Sequence, residues 1–237
     1  MPHRGKADLG ETSRLRNQIY DWAGGETILS RDRFGEDGPR TPAPNAPQEE
    51  DPMSPHSSHP EHSGEAITIM KVEPIFQTGV IVTSRAQEVG GKLPDRHSAY
   101  FDNISPPLEW SNVPDVKAWA VIVEDPDAPR EKPFVHWMLW NIYGEINSLP
   151  EGLPNADFLA TPQGGIQGRN DMGGYGWFGP RPPAGHGLHR YYFQVFALDD
   201  LIEMGPDTPL DHLLNALKGH TLATGEMMAT YEAPNPQ

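Results

Sequence analysis

Four side chains in the second half of the chain have the chemistry of a small binding site: Asp125, His136, His189 and Tyr191. A histidine ring nitrogen and a tyrosine hydroxyl can each donate a hydrogen bond, and an aspartate can fix a histidine tautomer by accepting from a ring nitrogen. Together such groups would be neutral or weakly cationic. These residue types suit a small anion that is held by hydrogen bonds.

Each histidine begins a segment that reads as a β-strand, in which residues two apart share a face. His136 is therefore predicted to share a face with Met138 and Trp140, and His189 with Tyr191. Each polar side chain thus opens a strand that continues apolar on the same side, as at the rim of a pocket between two sheets. Taken singly, each histidine is better explained as a hydrogen-bonded residue at a sheet edge, and it is their combination that favours a site.

The composition excludes several classes of function. With 18 Lys and Arg against 33 Asp and Glu, the net charge of -15 opposes binding to nucleic acid or to an anionic membrane surface. The chain has no cysteine, which excludes disulfides, thiol nucleophiles and thiolate metal sites. Its N-terminus lacks the apolar stretch of a signal peptide, and its longest apolar run, Ala118–Val123, is far shorter than the ~20 residues of a membrane helix. We therefore predict a cytoplasmic protein with no integral membrane association.

Two regions differ in composition. Residues 1–65 are predicted to form a largely flexible N-terminal extension, rich in proline and acidic residues beyond position 34, with a short helix near 13–22. Residues 66–237 alternate apolar segments with glycine and proline, which predicts one mainly β domain. The predicted strands are Ile67–Val72, Ala118–Glu124, Val135–Ile142, Tyr191–Leu198 and Glu226–Tyr231, with a weaker one near Gly79–Val82.

One helix is predicted near the C-terminus. Thr208 is its predicted cap, Pro209 its first helical residue, and Gly219 follows its end. An apolar stripe of leucines at i, i+3, i+4 and i+7 should pack against a sheet. The long stretch 164–187, rich in glycine and proline, contains three aromatic residues and is predicted to be an ordered, functional loop.

Several segments together resemble the signature of the phosphatidylethanolamine-binding protein family, in its bacterial Raf-kinase-inhibitor-like branch. Their order and spacing are similar to those of the family, and the likeness runs from about Lys71 to Tyr231. The segments are Asn103–Trp110, Asp125–Pro129, His136–Trp137, Gly179–Pro183 and Gly185–Tyr191.

The resemblance implies a β-sandwich of two sheets with one or two peripheral α-helices, and a small cavity for phosphate-like anions or phospholipid and nucleotide headgroups. It implies no cofactor and no catalytic residue, and it raises modulation of a protein kinase or protease and formation of a homodimer as further expectations. If the histidines bind the anion, affinity should rise as the pH falls toward the histidine range. The implied ligand-binding residues are Asp125, His136, Gly179, Pro182, Pro183, His189 and Tyr191.

Alternative interpretations use the same part of the chain. Asp125, His136 and His189 could instead be the ligands of a metal-dependent enzyme, since two histidines and one carboxylate form the ligand set of some iron sites. A hydrolase is disfavoured because no serine near the signature segments lies in a Gly-x-Ser-x-Gly turn. Arg181 has two readings, a fork-shaped donor to a bound anion or a solvated surface side chain.

Overall fold

The computed structural model of the protein describes residues 65–234. The predicted N-terminal extension up to residue 64, including the helix near 13–22, lies outside the described residues. The strands within them are β1 (Val82–Thr83), β2 (Leu108–Trp110), β3 (Ala118–Asp125), β4 (Phe134–Tyr143), β5 (Ser148–Leu149), β6 (Ile166–Gln167), β7 (Leu188–Leu198) and β8 (Thr221–Glu232). The helices are α1 (Leu210–His220) and two short 3-10 helices, Thr68–Lys71 and Asp95–His97.

All strand pairs are antiparallel and build two sheets. The smaller sheet has the order β1-β2-β5, and the larger has the order β6-β4-β3-β7-β8. The predicted mainly β fold with two sheets and a peripheral α-helix is confirmed. In residues 65–234 no helix combines the length and apolar character needed to cross a bilayer.

The central strand β3 of the larger sheet is buried on both faces, which explains why it reads as a continuous apolar run. Trp119, Val121 and Val123 belong to the core between the two sheets, whereas Ala120 and Ile122 belong to a second core beneath α1. The leucine stripe of α1 is confirmed as a packing face, with its most central residues fully buried. The central strands are therefore held rigidly from both sides, and their ends are well placed to carry a site.

Local signals at both ends of α1 were interpreted wrongly. Thr208 does not cap the helix, because its hydroxyl donates to the carbonyl of Gly205, 2.7 Å away, and Pro209 occupies the N-cap position. Gly219 lies within the last turn instead of after it. The helix stops because β8 begins at Thr221, whose hydroxyl donates to the Leu217 carbonyl.

The predicted strand Ile67–Val72 is also wrong, since Thr68–Lys71 is a 3-10 helix. The Thr68 amide donates to the Glu124 carboxylate at 2.6 Å, and the Gln194 side-chain amide donates to the same oxygen at 2.7 Å. The Ile69 amide donates to Oε1 of the Gln194 side chain. A buried carboxylate and amide on neighbouring strands thus satisfy the backbone of this segment, which therefore needs no strand partner.

Glu124 should make stability depend on pH. Burial raises the pKa of Glu124 above its ordinary value of 4.5, so the folded state holds this proton more tightly than the unfolded state. The resulting stabilisation is complete below the unfolded-state pKa and is lost as the pH rises through the folded-state pKa. Glu124→Gln cannot ionise, and it should gain stability relative to the wild type between about pH 4 and about pH 7 in urea unfolding.

The matched control is Glu109→Gln, which changes an exposed glutamate on β2 and should not show this trend. A stability difference between Glu124→Gln and wild type that stays constant across the pH range would contradict the assignment of the titration to Glu124.

Candidate functional site

The candidate site lies at one end of the larger sheet. Asp125 is the last residue of β3, and it pairs with Phe134, the first residue of β4. On the other side of β3, Glu124 pairs with Tyr192 near the start of β7. Because neighbouring strands run antiparallel, the end of β3 and the beginnings of β4 and β7 meet at the same sheet edge. This topology brings Asp125, His136 and His189 together.

A β-bulge decides which way His136 points. Consecutive β3 residues Val123 and Glu124 pair with Trp137 and Val135, which leaves His136 as the extra residue on β4. A bulge re-aims a side chain, and here it places His136 on the face of the core between the sheets. The predicted shared face of His136 with Met138 and Trp140 is therefore wrong, since those two side chains pack beneath α1.

A cavity of about 280 Å³ opens at this edge. Five of the implied ligand-binding residues line it, and two do not: Gly179 lies behind the wall, and Tyr191 lies beneath the floor. The lining residues are Asp125, Ala128, Pro129, Arg130, Phe134, His136, Phe178, Arg181, Pro182, Pro183 and His189.

Asp125 and His189 form a buried hydrogen-bonded pair. The Asp125 Oδ2 accepts from Nδ1 of His189 at 2.8 Å, and its Oδ1 accepts from the Asp127 amide at 2.8 Å. The second bond closes the tight turn that follows β3. Next to this pair, the Asp127 carboxylate accepts a two-pronged hydrogen bond from the Arg190 guanidinium, at 2.6 and 2.7 Å. The turn is thereby fastened to β7, which keeps Asp125 against His189.

His136 makes a different contact. Its Nδ1 lies 2.6 Å from the carbonyl oxygen of Phe178, and the two rings stack at 5.9 Å between centroids. A carbonyl can only accept, so Nδ1 is the protonated nitrogen. Burial lowers the pKa of His136 below the ordinary histidine value, which the nearby Asp125 carboxylate only partly offsets. The sequence analysis predicted that His136 could donate a hydrogen bond to an anion, but its Nδ1 proton is donated to the Phe178 carbonyl oxygen instead.

Tyr191 lies beneath the floor of the cavity and does not line it. Its side chain is fully buried, and its ring meets the edge of His136 at 5.1 Å between centroids. The hydroxyl lies close to the Asp125 carboxylate, but it forms no hydrogen bond of ordinary geometry with any of the described residues. Burial, followed by the charge of Asp125, raises the pKa of Tyr191 well above its ordinary value. The ring of Tyr191 therefore packs against His136, and its hydroxyl remains protonated.

The wall of the cavity is held from behind by residues 97–103, which the sequence interpretation did not connect to the site. The Tyr100 hydroxyl donates to the Pro182 carbonyl at 2.6 Å, and the Ser98 hydroxyl donates to the Pro180 carbonyl at 2.9 Å. The Gly179 amide donates to the side chain of Asn103 at 2.7 Å. These partners lie about eighty positions earlier in the chain and carry no periodic signal that links them to the wall.

Two arginines lie at the cavity. Arg130 pairs with Asp171 at 2.7 Å and extends over the Phe134 ring at 5.4 Å. Arg181 lies over the Tyr100 ring at 5.8 Å with its side chain exposed. Arg181 is thus a solvated side chain that also lines the cavity, and its role as a donor to a bound anion stays a prediction. Arg130 was missed because its segment reads only as a turn.

The described residues do not favour the enzyme alternatives. No group of three or more His, Asp or Glu side chains within residues 65–234 has the arrangement of a metal site, and both carboxylate oxygens of Asp125 accept hydrogen bonds. Ser105 is buried, and its hydroxyl oxygen accepts from the amide of Leu153. It thus closes a turn and is not placed as a nucleophile.

Comparison with known proteins decides the family. A family model described as phosphatidylethanolamine-binding protein matches residues 83–232. The chain belongs to the phosphatidylethanolamine-binding protein family. The UPF0098 protein of Methanothermobacter thermautotrophicus is 40% identical over 142 residues, which cover 60% of this chain and 91% of that protein. The UPF0098 protein YbcL of Escherichia coli is 37% identical over 161 residues, covering 64% of this chain and 86% of that protein.

Solved structures of family members agree with the fold. The crystal structure of YbcL from Escherichia coli has a TM-score of 0.61 at 33% identity, over 66% of this chain and 100% of that one. A phosphatidylethanolamine-binding protein homologue from Chlamydia trachomatis has a TM-score of 0.58 at 35% identity, over 66% of this chain and 99% of that one. The sequence-based assignment to the family, in its bacterial branch, is confirmed.

Gly179 offers a test of the cavity wall. A Cβ at this position would overlap the carbonyl oxygen of His97, which is a backbone atom with little freedom to move. Gly179→Ala should therefore lower the free energy of unfolding by about 1–3 kcal/mol, as overpacking does elsewhere. Gly205→Ala is the matched control, because no heavy atom lies within 4 Å of the added carbon. Equal denaturant midpoints for the two variants would contradict the close packing of the wall on His97.

Proposed function

We propose that this family member binds a small phosphate-like anion in the cavity between β3, β4 and β7, either free or as the headgroup of a phospholipid or nucleotide. The observation that carries the proposal is the gathering of two arginines and the Asp125–His189 pair around one cavity. The chain as a whole is strongly acidic, with a net charge of -15. Asp171 balances Arg130 and Asp125 balances His189, so the unpaired guanidinium of Arg181 is the group that favours an anionic ligand at this opening.

The size and lining of the cavity limit the ligand. Its volume of about 280 Å³ is near the lower end of known ligand pockets, which begin at about 300 Å³. Phe134, Phe178 and Pro182 supply apolar walls, while the polar groups converge at the sheet edge. Apolar walls with a few convergent polar groups are typical of small-molecule sites. We therefore expect an oxyanion with a small organic substituent.

Arg181 tests the proposal without disturbing the core. Its guanidinium forms no ion pair within residues 65–234, so its charge is available to an anion. Arg181→Ala should weaken binding of inorganic phosphate roughly tenfold, the value of one hydrogen bond to a charged group. Isothermal titration calorimetry with inorganic phosphate, phosphoethanolamine and AMP would measure the effect and separate free phosphate from headgroup ligands.

The matched control is Arg85→Ala, which removes another exposed arginine that pairs with Glu109 and lies outside the cavity lining. This variant should bind each ligand as the wild type does. Phosphate binding that is equally weakened in both variants would indicate a general charge effect, and the absence of binding to wild-type protein would refute the proposed function. Modulation of a kinase or protease, homodimer formation and cytoplasmic location stay predictions.

A further inference from the structure

The hydrogen bond between His136 and Phe178 determines which group His136 can present to a ligand. Its Nδ1 must carry the proton, because the Phe178 carbonyl oxygen at 2.6 Å can only accept. In the neutral ring the other nitrogen, Nε2, then carries a lone pair and accepts. Nε2 has no hydrogen-bond partner in the described part of the chain, and His136 lines the cavity. The site therefore contains a hydrogen-bond acceptor where a simple anion pocket would have a donor.

The surroundings of His136 favour the neutral ring. The side chain is 3% exposed, and burial lowers its pKa. Two charged groups near the ring, Asp125 and Asp171, favour its protonation, and His189 opposes it. The other charged or titratable groups that face the ring are Arg130 and Arg181 on the cavity wall and the hydroxyl of Tyr191 beneath it. Burial has the largest effect of these influences. A ligand therefore meets a neutral His136 at pH values where an exposed histidine would begin to protonate.

The donors of the cavity lie elsewhere. The guanidinium of Arg181 can donate to unprotonated oxygens of a ligand. The Nδ1 proton of His189 is not available to a ligand, because it is donated to Asp125. An oxyanion with no proton would place an oxygen lone pair against the Nε2 lone pair of His136. An oxyanion with one hydroxyl would donate from it to Nε2, while its other oxygens accept from the arginine. This mixture of groups discriminates between anions of equal charge.

We infer that the cavity selects oxyanions that bring a proton of their own, namely inorganic phosphate and phosphomonoesters, over phosphodiesters and sulfate esters. The inference rests on the proposed anion-binding function and narrows it to one chemical class. A phosphomonoester has a second pKa of about 6, so its monoanion with a P–OH group is available at mildly acidic to neutral pH. Phosphodiesters and sulfate esters have no ionisable proton in this range. Intact diester phospholipids are therefore disfavoured as ligands.

Three small probes isolate the proton. At about pH 5.5, methyl phosphate is mostly a monoanion with one hydroxyl, whereas methyl sulfate and dimethyl phosphate are monoanions without one. Calorimetric titration of the full chain at this pH should show methyl phosphate binding at least roughly tenfold more tightly than either of the others. Equal affinities for the three probes would overturn the selectivity and leave the proposed function intact. Binding of none of them would overturn the proposed function itself.

Two further measurements assign the effect to His136. His136→Phe keeps an aromatic ring on Tyr191 but removes the acceptor, and it should reduce the ratio of methyl phosphate to methyl sulfate affinity to near one. Two-bond ¹H–¹⁵N NMR of the wild-type protein at the same pH requires no variant. We expect a protonated Nδ1 and an unprotonated Nε2 on His136, and the opposite tautomer or a doubly protonated ring would overturn the inference.

Discussion

The buried carboxylate of Asp125 is the constraint on which this end of the molecule depends. A charge with 3% exposure is costly unless hydrogen bonds replace its lost hydration. Both of its oxygens are satisfied, one by the Asp127 amide in the following turn and one by His189 on the next strand. Satisfying one side chain therefore fixes the turn and the register of β7 together. The Asp127–Arg190 pair repeats this link one step further out.

The two-sided burial of the larger sheet makes such precision possible. The core between the sheets and the core beneath α1 leave β3, β4 and β7 little freedom to shift. A single bulge at His136 then transfers one side chain between these environments without disturbing the residues that follow it. The cavity thus lies where a bulge breaks the regular pairing of β3 and β4, and the apolar packing on both faces of the sheet holds the bulge in place.

The wall and the chemistry of the cavity come from segments outside the sheets. Residues 97–103 hold the proline-rich wall through hydrogen bonds to its carbonyls, and the carbonyl of Phe178 fixes the tautomer of His136. Backbone groups of an ordered loop thereby set the donor and acceptor pattern of the cavity.

Local periodicity and short motifs with fixed spacing were enough to predict the family, the mainly β architecture, four of the main strands and the apolar face of α1. The family resemblance also implied seven site residues, of which five line the cavity. The face of His136, the burial of Tyr191 and the 3-10 form of Thr68–Lys71 became apparent only in the folded chain. Each of these depends on partners far away in the chain: a register mismatch with β3, the close packing of two sheets, and the carboxylate of Glu124. Alternation along a strand describes a regular ladder, and it cannot show where a distant partner interrupts that ladder.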